Sequence, residues 1–510
     1  MKRDACVNEK KLAVSNYVAS LISYAAIILV GLLEHRFLPL YYGSEMNGLV
    51  GSVGQFIEYL WLFEAGVGAT TVQALYRPVA LNDKDGINSI INASGRFYSK
   101  SGLYYLICLI ILSVGYPFVF KSDLDRLTVA FVVFLSGFSN VINFWVQEKY
   151  SMLLKAEGKS YIISNLLTYS MILSGIVRVL LMLVKMNILY VVGAAFLIRL
   201  SSTVFLYMYI RRNYKWLNRS IKPNYESINQ RGYAFVKELS RLLFNGADII
   251  IISFFCGLKV VSVYSMYKVI TNQMNNLIGA SPTSIEFSQG QLFQTDKRLF
   301  SKRIDLYESL FSTVYHTLYS VTLFMFVPFM KLYTEGINDI NYVDYRLALL
   351  FVVLELLHMS RSLMSQTINV AGHFRLTTPQ TIAETFINIC VSVIAVQFWG
   401  IYGALIGTII ALLYRANDMI IYANKRIIGR SPAKTYLIHL INLVLLIVFQ
   451  FIYRLMFVEI ENYGTFMLYG AIMVVMTGAV MLSVQVVLFP DFRYALFGFV
   501  SKALKMEKKA

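Results

Sequence analysis

The amino-acid composition excludes an ordinary soluble domain. The chain has 510 residues, of which 57% are hydrophobic and 15% are charged. Soluble domains have about 45–50% apolar and about 25% charged residues, so much of the apolar surface here must face lipid. The formal net charge of +17 is typical of either a nucleic-acid partner or a membrane topology signal, and the positions of the cations decide between the two.

Apolar stretches long enough to cross a bilayer recur along the whole chain. A transmembrane helix needs about 20 mostly apolar residues, and the pattern predicts about fourteen such helices. The predicted spans are 14–38, 47–71, 101–120, 127–147, 160–184, 187–210, 236–256, 260–285, 306–330, 344–369, 377–398, 401–423, 435–457 and 464–489. The first run is too long for a signal peptide and lacks a cleavage pattern. We therefore expect an all-α polytopic membrane protein whose first span is permanent.

Lysine and arginine are concentrated in alternate connections between these spans. The N-terminal tail, "RRNYKWLNRSIK", "TDKRLFSKR", "NKRIIGRSPAK" and the C-terminal "SKALKMEKKA" are basic, whereas the intervening connections hold few cations. Cytoplasmic loops carry an excess of Lys and Arg, so both termini are expected in the cytoplasm. This distribution accounts for the net charge, and we expect no nucleic-acid partner.

An internal repeat relates two halves of the chain at an offset of 214 residues. The matched residues are Gly43 and Gly257, Gly158 and Gly372, Gly193 and Gly407, and Glu34 and Asp248. Parallel repeats are typical of transporters that bind substrate near the midplane at the repeat interface. We predict an N-lobe at 1–212, a basic cytoplasmic linker at 213–235 and a C-lobe at 236–424, around a central cavity. Two extra spans and a basic tail follow at 425–510.

Cationic residues inside predicted spans indicate a cavity with an anionic ligand. A charge at the bilayer centre costs at least about 2.5–3.5 kcal/mol, so such residues usually face a bundle interior or water. The candidate binding cations are Arg36, Arg178, Arg199, Lys268 and Arg361. Lys268 and Arg199 are expected nearest the mid-membrane, whereas an interfacial position is equally compatible with Arg361. Arginine matches phosphate oxygens bidentately, so phosphate is the natural anion.

Acidic residues and a histidine inside the spans are candidates for ion coupling or gating. These residues are Glu34, Asp248, Glu64, Glu355 and His358. The spacing of Glu355, His358 and Arg361 in "ELLHMSR" places neighbours on one broad helix face, which fits either a cavity wall or a structural salt-bridge ladder. Because Glu34 has an acidic counterpart in the repeat, Asp248, we favour this pair as the coupling or gating element.

Motifs of soluble enzymes and metal sites are absent from the sequence. No GxxxxGK[ST], HExxH or GxSxG occurs, and the four cysteines show no CxxC spacing. No third His or Cys lies near His358 in the sequence, so the sequence gives little support for a metal site there. We therefore expect a non-enzymatic protein without a metal or cofactor.

Three segments carry a resemblance to a known family. They are "LPLYYGSEMNGLVGSVGQF" at 38–56, "LLKAEGKSYIISN" at 153–165 and "GIYGALIGTII" at 400–410. With the two extra C-terminal spans, the chain resembles the multidrug/oligosaccharidyl-lipid/polysaccharide (MOP) exporter superfamily, in particular its bacterial polysaccharide and O-antigen (Wzx-type) flippases. The resemblance covers essentially the whole chain.

The resemblance implies a flippase for cell-surface polysaccharide synthesis in the bacterial cytoplasmic (inner) membrane. Such a protein moves an oligosaccharide linked through pyrophosphate to a polyprenyl carrier from the cytoplasmic to the outer leaflet. The superfamily is thought to rock between inward-open and outward-open states, coupled to an ion gradient, and the sequence leaves H⁺ and Na⁺ open. A polysaccharide polymerase and the chain-length machinery are the protein partners that the resemblance implies.

Two other functions remain open at this point. A multidrug cation antiporter of the same superfamily would need a mainly acidic or aromatic cavity. The predicted cavity cations therefore count against this function. An integral-membrane polymerase or glycosyltransferase would commonly carry a large extracytoplasmic loop, whereas the longest predicted outer connection, 331–343, is short.

Overall fold

The computed structural model describes residues 26–64, 67–120, 122–226, 232–456, 459–490 and 492–494. These residues form helices and no strand. The helices are α1 (26–42), α2 (Ser44–Leu60), α3 (Val67–Ala80), α4 (Lys84–Val119), α5 (Arg126–Ile142), α6 (Glu148–Ala156), α7 (Ser160–Leu183), α8 (Ile188–Asn213), α9 (Gly232–Phe255), α10 (Leu258–Thr295), α11 (Lys297–Tyr333), α12 (Tyr345–Val370), α13 (Thr378–Trp399), α14 (Ile401–Tyr422), α15 (Ala433–Leu455) and α16 (Tyr463–Leu488). The prediction of an all-α polytopic fold is confirmed.

Ten helical segments in the described part of the chain are long and apolar enough to cross a membrane. They are α4, α5 continued through a π-helical turn into α6, α7, α8, α11, α12, α13, α14 with the π-helical turn after it, α15 and α16. The other predicted spans fall on α1, α2, α9 and α10, the first two spans of each repeat. The beginning of the first span, 14–25, lies outside the described residues. A helix that lines a polar interior needs apolar residues on only part of its surface.

The predicted connection at 72–100 is largely helical. Helix α4 has 36 residues and begins at Lys84, well before the predicted start at 101, and the part of the connection before it belongs largely to α3. Asp83 starts α4 by accepting a hydrogen bond from the Gly86 N–H at 2.9 Å. The first turns of α4 bury only one face, through Ile87, Ile90 and Ile91. The prediction missed this part because a search for continuous apolar runs overlooks an amphipathic helix.

The chain divides into two compact units, Met1–Ser265 and Met266–Ala510. In unit 1, three buried clusters follow one another along α4. The cluster at its start joins α3, α6 and α8 through Leu75, Leu153 and Leu206, and the middle cluster surrounds Phe144. The cluster at its end joins α1, α2, α5 and α8. These clusters fix the helices that carry polar side chains.

Unit 2 packs around α11, which contacts α12, α15 and α16. Tyr267 stacks with Phe326 and Phe351 at ring-centroid distances of 4.8 and 5.4 Å. Helices α13 and α14 form a close hairpin, in which a Cβ on Gly403 would lie 2.2 Å from the carbonyl oxygen of Ala395. The contact between these two helices therefore depends on glycine.

The glycine joints of the sequence repeat have matching backbone conformations. Gly43 and Gly257 both have φ 84°, while Gly158 has φ 74° and Gly372 has φ 73°. Positive φ is readily adopted only by glycine, so each pair ends its preceding helix in the same way. The offset of 214 residues thus corresponds to matching joints. The lobe boundaries at 1–212 and 236–424 describe the order of spans and stay a prediction.

Candidate functional site

A cavity of about 350 Å³ lies among α1, α2, α5, α7 and α8 of unit 1. Its polar lining includes Glu34, Glu58, Asn140, Arg178 and Arg199. Three residues selected from the sequence therefore meet in one place, although α1, α7 and α8 supply them from distant parts of the chain. We call this space the Arg199 cavity.

Arg178 of α7 forms an ion pair with Glu34 of α1 inside the Arg199 cavity, and both side chains are largely buried. The Arg178 Nε–H also donates to the carbonyl oxygen of Ser174, one turn earlier, at 3.4 Å. The pair neutralises both charges. Arg178 can therefore bind an added anion only if Glu34 is displaced or protonated.

Arg199 lies on the same cavity wall in a different electrostatic situation. No carboxylate lies within ion-pair distance of its guanidinium among the described residues, and its side chain is exposed. The charges of both Arg178 and Glu34 act on it. The other acidic residue of the cavity, Glu58, lies 3.7 Å from the guanidinium of Arg241. That guanidinium lies closer to Glu238, at 2.6 Å. Arg199 is thus the guanidinium of the lining that has no ion-pair partner among the described residues.

Asp248, the repeat counterpart of Glu34, lies on α9 and does not line the Arg199 cavity. It is buried, and the Tyr264 hydroxyl donates to its Oδ2 at 3.0 Å. Helix α9 packs against α2, where the Ser253 and Ser52 hydroxyls are 2.9 Å apart. The two acidic residues matched by the repeat thus have different surroundings.

Arg36 and Glu64 also lie away from the lining of the Arg199 cavity. Arg36 is half-buried on α1. Glu64 ends the 3₁₀ turn that follows α2, where the charges of Lys155 and Glu238 act on it. Their assignments to substrate binding and gating stay predictions.

Unit 2 brings Lys268 of α10 close to Glu355 of α12. The buried Glu355 carboxylate accepts a hydrogen bond from the Asn275 amide at 2.5 Å, and the Tyr319 hydroxyl donates to the same amide at 2.6 Å. The charges of Lys268 and Arg361 act on this carboxylate. The His358 Nδ1 lies 3.9 Å from Glu355, so these two side chains lie on one helix face. The roles of Lys268, Glu355 and His358 in binding, coupling or gating stay predictions.

Arg361 belongs to a second ion-pair network in unit 2. It is bonded to Glu384 of α13, and Arg415 Nε of α14 lies 3.6 Å from the same carboxylate. Arg415 is also bonded to Asp418, and its Nη2 donates to the Thr381 hydroxyl at 3.0 Å. This arrangement fits the structural salt-bridge ladder that the sequence left open for "ELLHMSR", and the assignment of Arg361 to substrate binding stays a prediction. The sequence showed Glu384 and Arg415 as charges within spans but gave no sign that they contact each other.

No group of three or more His, Cys, Asp or Glu side chains in the described ranges could hold a metal ion. Cys108, Cys256 and Cys390 are free thiols, and Cys6 lies outside these ranges. Within the described residues, the chemistry of both polar sites is ion pairing and hydrogen bonding.

No protein-family model and no curated protein sequence matches the chain. Its fold is similar to the inward-facing conformation of a multidrug resistance MATE family transporter of the MOP superfamily, with TM-score 0.59 and 18% identity over 80% of this chain and 98% of that chain. It is also similar to the lipid II flippase MurJ in an inward closed conformation, with TM-score 0.64 and 14% identity over 92% and 98%. A variant of the Vibrio cholerae MATE transporter VcmN gives TM-score 0.52 and 13% identity over 81% and 95%. The chain thus has the multi-pass membrane fold of MATE transporters and MurJ.

Proposed function

We propose that the chain is a MOP-superfamily flippase that moves a polyprenyl-pyrophosphate-linked oligosaccharide across the bacterial cytoplasmic membrane by alternating access. The observation that carries this proposal is the Arg199 guanidinium, which has no ion-pair partner among the described residues and lies beside the Arg178–Glu34 ion pair. A cation in a membrane cavity needs an anionic partner, and a diphosphate offers oxygens that match arginine. Ser136, Ser139 and Asn140 add polar groups to the lining that suit sugar hydroxyls.

Among the similar structures, the lipid II flippase is a better guide to function than the MATE transporters. The match to the lipid II flippase covers 92% of this chain, whereas the matches to MATE transporters given above cover 80% and 81%. The flippase therefore leaves less of the chain without a counterpart.

A cation antiporter is the second candidate, because Glu34, Glu58, Trp61 and Phe196 also line the Arg199 cavity. Acidic and aromatic side chains suit a cationic drug. The two carboxylates, however, lie close to Arg178 and Arg241 respectively. Since Arg199 has no such partner among the described residues, its guanidinium favours an anionic substrate.

The ion pair provides a route from substrate binding to ion coupling. A diphosphate that binds Arg199 also competes with Glu34 for Arg178. Displacement would leave the Glu34 carboxylate without its counter-charge, and it would then take up H⁺ or Na⁺. Release of the diphosphate on the other side restores the ion pair and expels the ion.

The test uses the full-length protein in proteoliposomes with a labelled polyprenyl-pyrophosphate oligosaccharide, whose appearance in the opposite leaflet is measured. Charged hydrogen bonds contribute about 1.5–3 kcal/mol, so we expect Arg199→Ala to slow flipping by about 10- to 100-fold and Arg199→Lys to retain part of the rate. Arg212→Ala, at the end of the same helix and outside the cavity, is the matched control and should flip normally.

Three outcomes would contradict the proposal. Undiminished flipping by Arg199→Ala would remove the role of this residue. Transport of a cationic dye without lipid flipping would identify an antiporter. Lengthening of the labelled glycan, read by mass, would identify a polymerase or glycosyltransferase.

A further inference from the structure

A second cavity of unit 1, with a volume of about 800 Å³, is strongly basic. It lies between the first half of α4, α6, the end of α8 and the segment that follows α8. Its cationic lining residues are Arg96, Lys100, Lys149, Arg211, Lys215 and Arg219. The lining, all of it within the described residues, contains no Asp or Glu. We call this cavity the basic pocket.

Among the described residues, no carboxylate forms an ion pair with a cation of the basic pocket. The Lys149 ammonium lies 5.0 Å from the centre of the Tyr150 ring. Arg96 and Arg211 donate to the hydroxyls of Tyr225 and Tyr207 at 3.4 and 3.0 Å. These phenols are neutral partners, so they orient the cations and leave the positive charge in place. Six cations around one cavity repel one another, and an anion bound among them would offset this repulsion.

The walls of the pocket are held in place without a ligand. The Asn92 amide of α4 donates to the carbonyl oxygens of Asn218 and Ile221 at 3.0 and 2.9 Å. The Asn218 N–H donates to the Asn88 side chain at 2.8 Å, and the Asn224 N–H donates to the Ser89 carbonyl oxygen at 3.1 Å. The segment after α8 is thus hydrogen-bonded to α4, so the protein's own contacts fix the shape of the pocket.

The pocket lies where α4, α6 and the end of α8 with its following segment meet. Residues 88–100, 149–150 and 210–219 all belong to the end of unit 1 that the Lys/Arg distribution predicts to be cytoplasmic. Basic pockets between transmembrane helices on this side of a membrane suit lipid headgroups. A volume of about 800 Å³ lies within the usual range for small-molecule sites.

We propose that the basic pocket binds the phosphate group of an anionic lipid headgroup at the cytoplasmic surface. The lipid is either an anionic phospholipid of the bilayer or a polyprenyl diphosphate carrier, because both present the same phosphate chemistry. This site is separate from the Arg199 cavity, and its occupancy does not depend on transport.

The test is native mass spectrometry of the purified full-length protein titrated with phosphatidylglycerol, phosphatidylcholine and a polyprenyl diphosphate. We expect phosphatidylglycerol to bind more tightly than phosphatidylcholine and inorganic pyrophosphate to displace it. The double variant Lys149→Gln/Arg219→Gln should weaken phosphatidylglycerol binding by at least about tenfold. The control Arg212→Gln/Lys222→Gln removes the same charge from exposed positions outside the lining and should change binding much less.

Two arms separate the lipid sources. Tighter binding of phosphatidylglycerol assigns the pocket to the bilayer, and tighter binding of polyprenyl diphosphate assigns it to the carrier. Equal binding of phosphatidylglycerol and phosphatidylcholine, or an equal loss in the control variant, would overturn the proposal. The pyrophosphate displacement is measured on the unaltered protein, so it tests the site even if the double variant does not fold. Since no step measures flipping, failure here is distinct from failure of the proposed flippase.

Discussion

Arg178 and Glu34 form an ion pair within unit 1, although 144 residues separate them in the sequence. The sequence repeat matches Glu34 with Asp248, yet Asp248 accepts from Tyr264. At the same offset, Arg178 and Arg199 fall on Ser392 and Leu413. The repeat therefore preserves the helix joints and one acidic residue but not the cations, and the Arg199 cavity has no cationic copy at the matched positions.

The Arg178–Glu34 ion pair should appear as an energetic coupling between the two side chains. Either Glu34→Gln or Arg178→Gln leaves a largely buried charge without its partner, and we expect each to lower stability by about 1–3 kcal/mol. The double variant should be more stable than the sum of the single losses predicts, by about 1–2 kcal/mol. Thermal unfolding in detergent measures the cycle. Strict additivity would show that the ion pair does not form.

The proposed function also predicts that Glu34 links flipping to the ion gradient. We expect Glu34→Gln to remove the dependence of flipping on the H⁺ or Na⁺ gradient, because the amide cannot take up the ion. Asp248→Asn tests the repeat counterpart in the same vesicles. Unchanged gradient dependence in the Glu34→Gln/Asp248→Asn double variant would exclude both residues from coupling.

The matched glycines Gly193 and Gly407 should respond in opposite ways to alanine. A Cβ on Gly407 would lie 2.2 Å from the Ser392 hydroxyl and 2.5 Å from its backbone nitrogen, whereas a Cβ on Gly193 has no neighbour within 4 Å. Gly407→Ala should therefore destabilise the protein by about 1–3 kcal/mol. Gly193→Ala should be neutral or stabilise it by about 0.5–1 kcal/mol. Unfolding temperatures of the two variants compare them directly, and a similar loss in both would contradict the close α13–α14 contact.

Glu384 should contribute more to stability than Asp418. Glu384→Gln leaves Arg361 and the fully buried Arg415 without their shared carboxylate, a change that typically costs about 3–5 kcal/mol. Asp418→Asn leaves Glu384 in place beside Arg415, and we expect a loss nearer about 1 kcal/mol. Thermal unfolding of both variants distinguishes them. The reverse order would mean that Asp418 is the main partner of Arg415.

Alkaline pH should loosen the contact between the α6–α7 connection and the segment after α8. The Lys159 ammonium donates to Glu157 at 2.7 Å and to Tyr214 at 3.0 Å, and these bonds raise the pKa of Lys159. Burial, followed by the hydrogen bond to Glu157, raises the pKa of Tyr214 to about 12. The ordinary values are about 10.4 for Lys and about 10 for Tyr. The folded state thus keeps both protons to higher pH, so this stability is present below about pH 10 and is lost as pH rises towards about 12.

The variant Tyr214→Phe tests this pH dependence. It removes one of the two titrating groups, so we expect lower stability than the unaltered protein at neutral pH but a smaller further loss between about pH 10 and 12. Unfolding temperatures across this range measure the difference. Parallel curves for the two proteins would show that Tyr214 does not contribute.

Much of the fold could be predicted because it depends on local patterns. Apolar runs located the spans, and glycines such as Gly43 and Gly257 marked the joints, since positive φ is a property of the residue itself. The long amphipathic start of α4 was missed because its apolar residues recur every three to four positions and do not form a continuous run. The helical character of α9, with Glu238, Arg241 and Asp248, was anticipated in spite of these charges.

The candidate site could be predicted only in part. The sequence selected Glu34, Arg178 and Arg199 because charges are costly inside a membrane, and the three line one cavity. It could not show that Glu34 neutralises Arg178 or that Glu384 holds Arg361, because such partners are chosen by helix packing. The basic pocket was missed for the same reason: its cations come from α4, α6, α8 and the segment after α8, and in the sequence they fall in connections predicted to be cytoplasmic.

The sequence by itself determined that this is an all-helical membrane chain, where its spans and repeat joints lie and which charges are out of place in lipid. These properties follow from hydrophobicity, glycine backbone freedom and the cost of desolvating a charge. Only the tertiary structure decided which of those charges are neutralised and which remain available. An ion pair depends on distances of a few ångströms between helices that are far apart in the chain, and Coulomb energy falls with that distance.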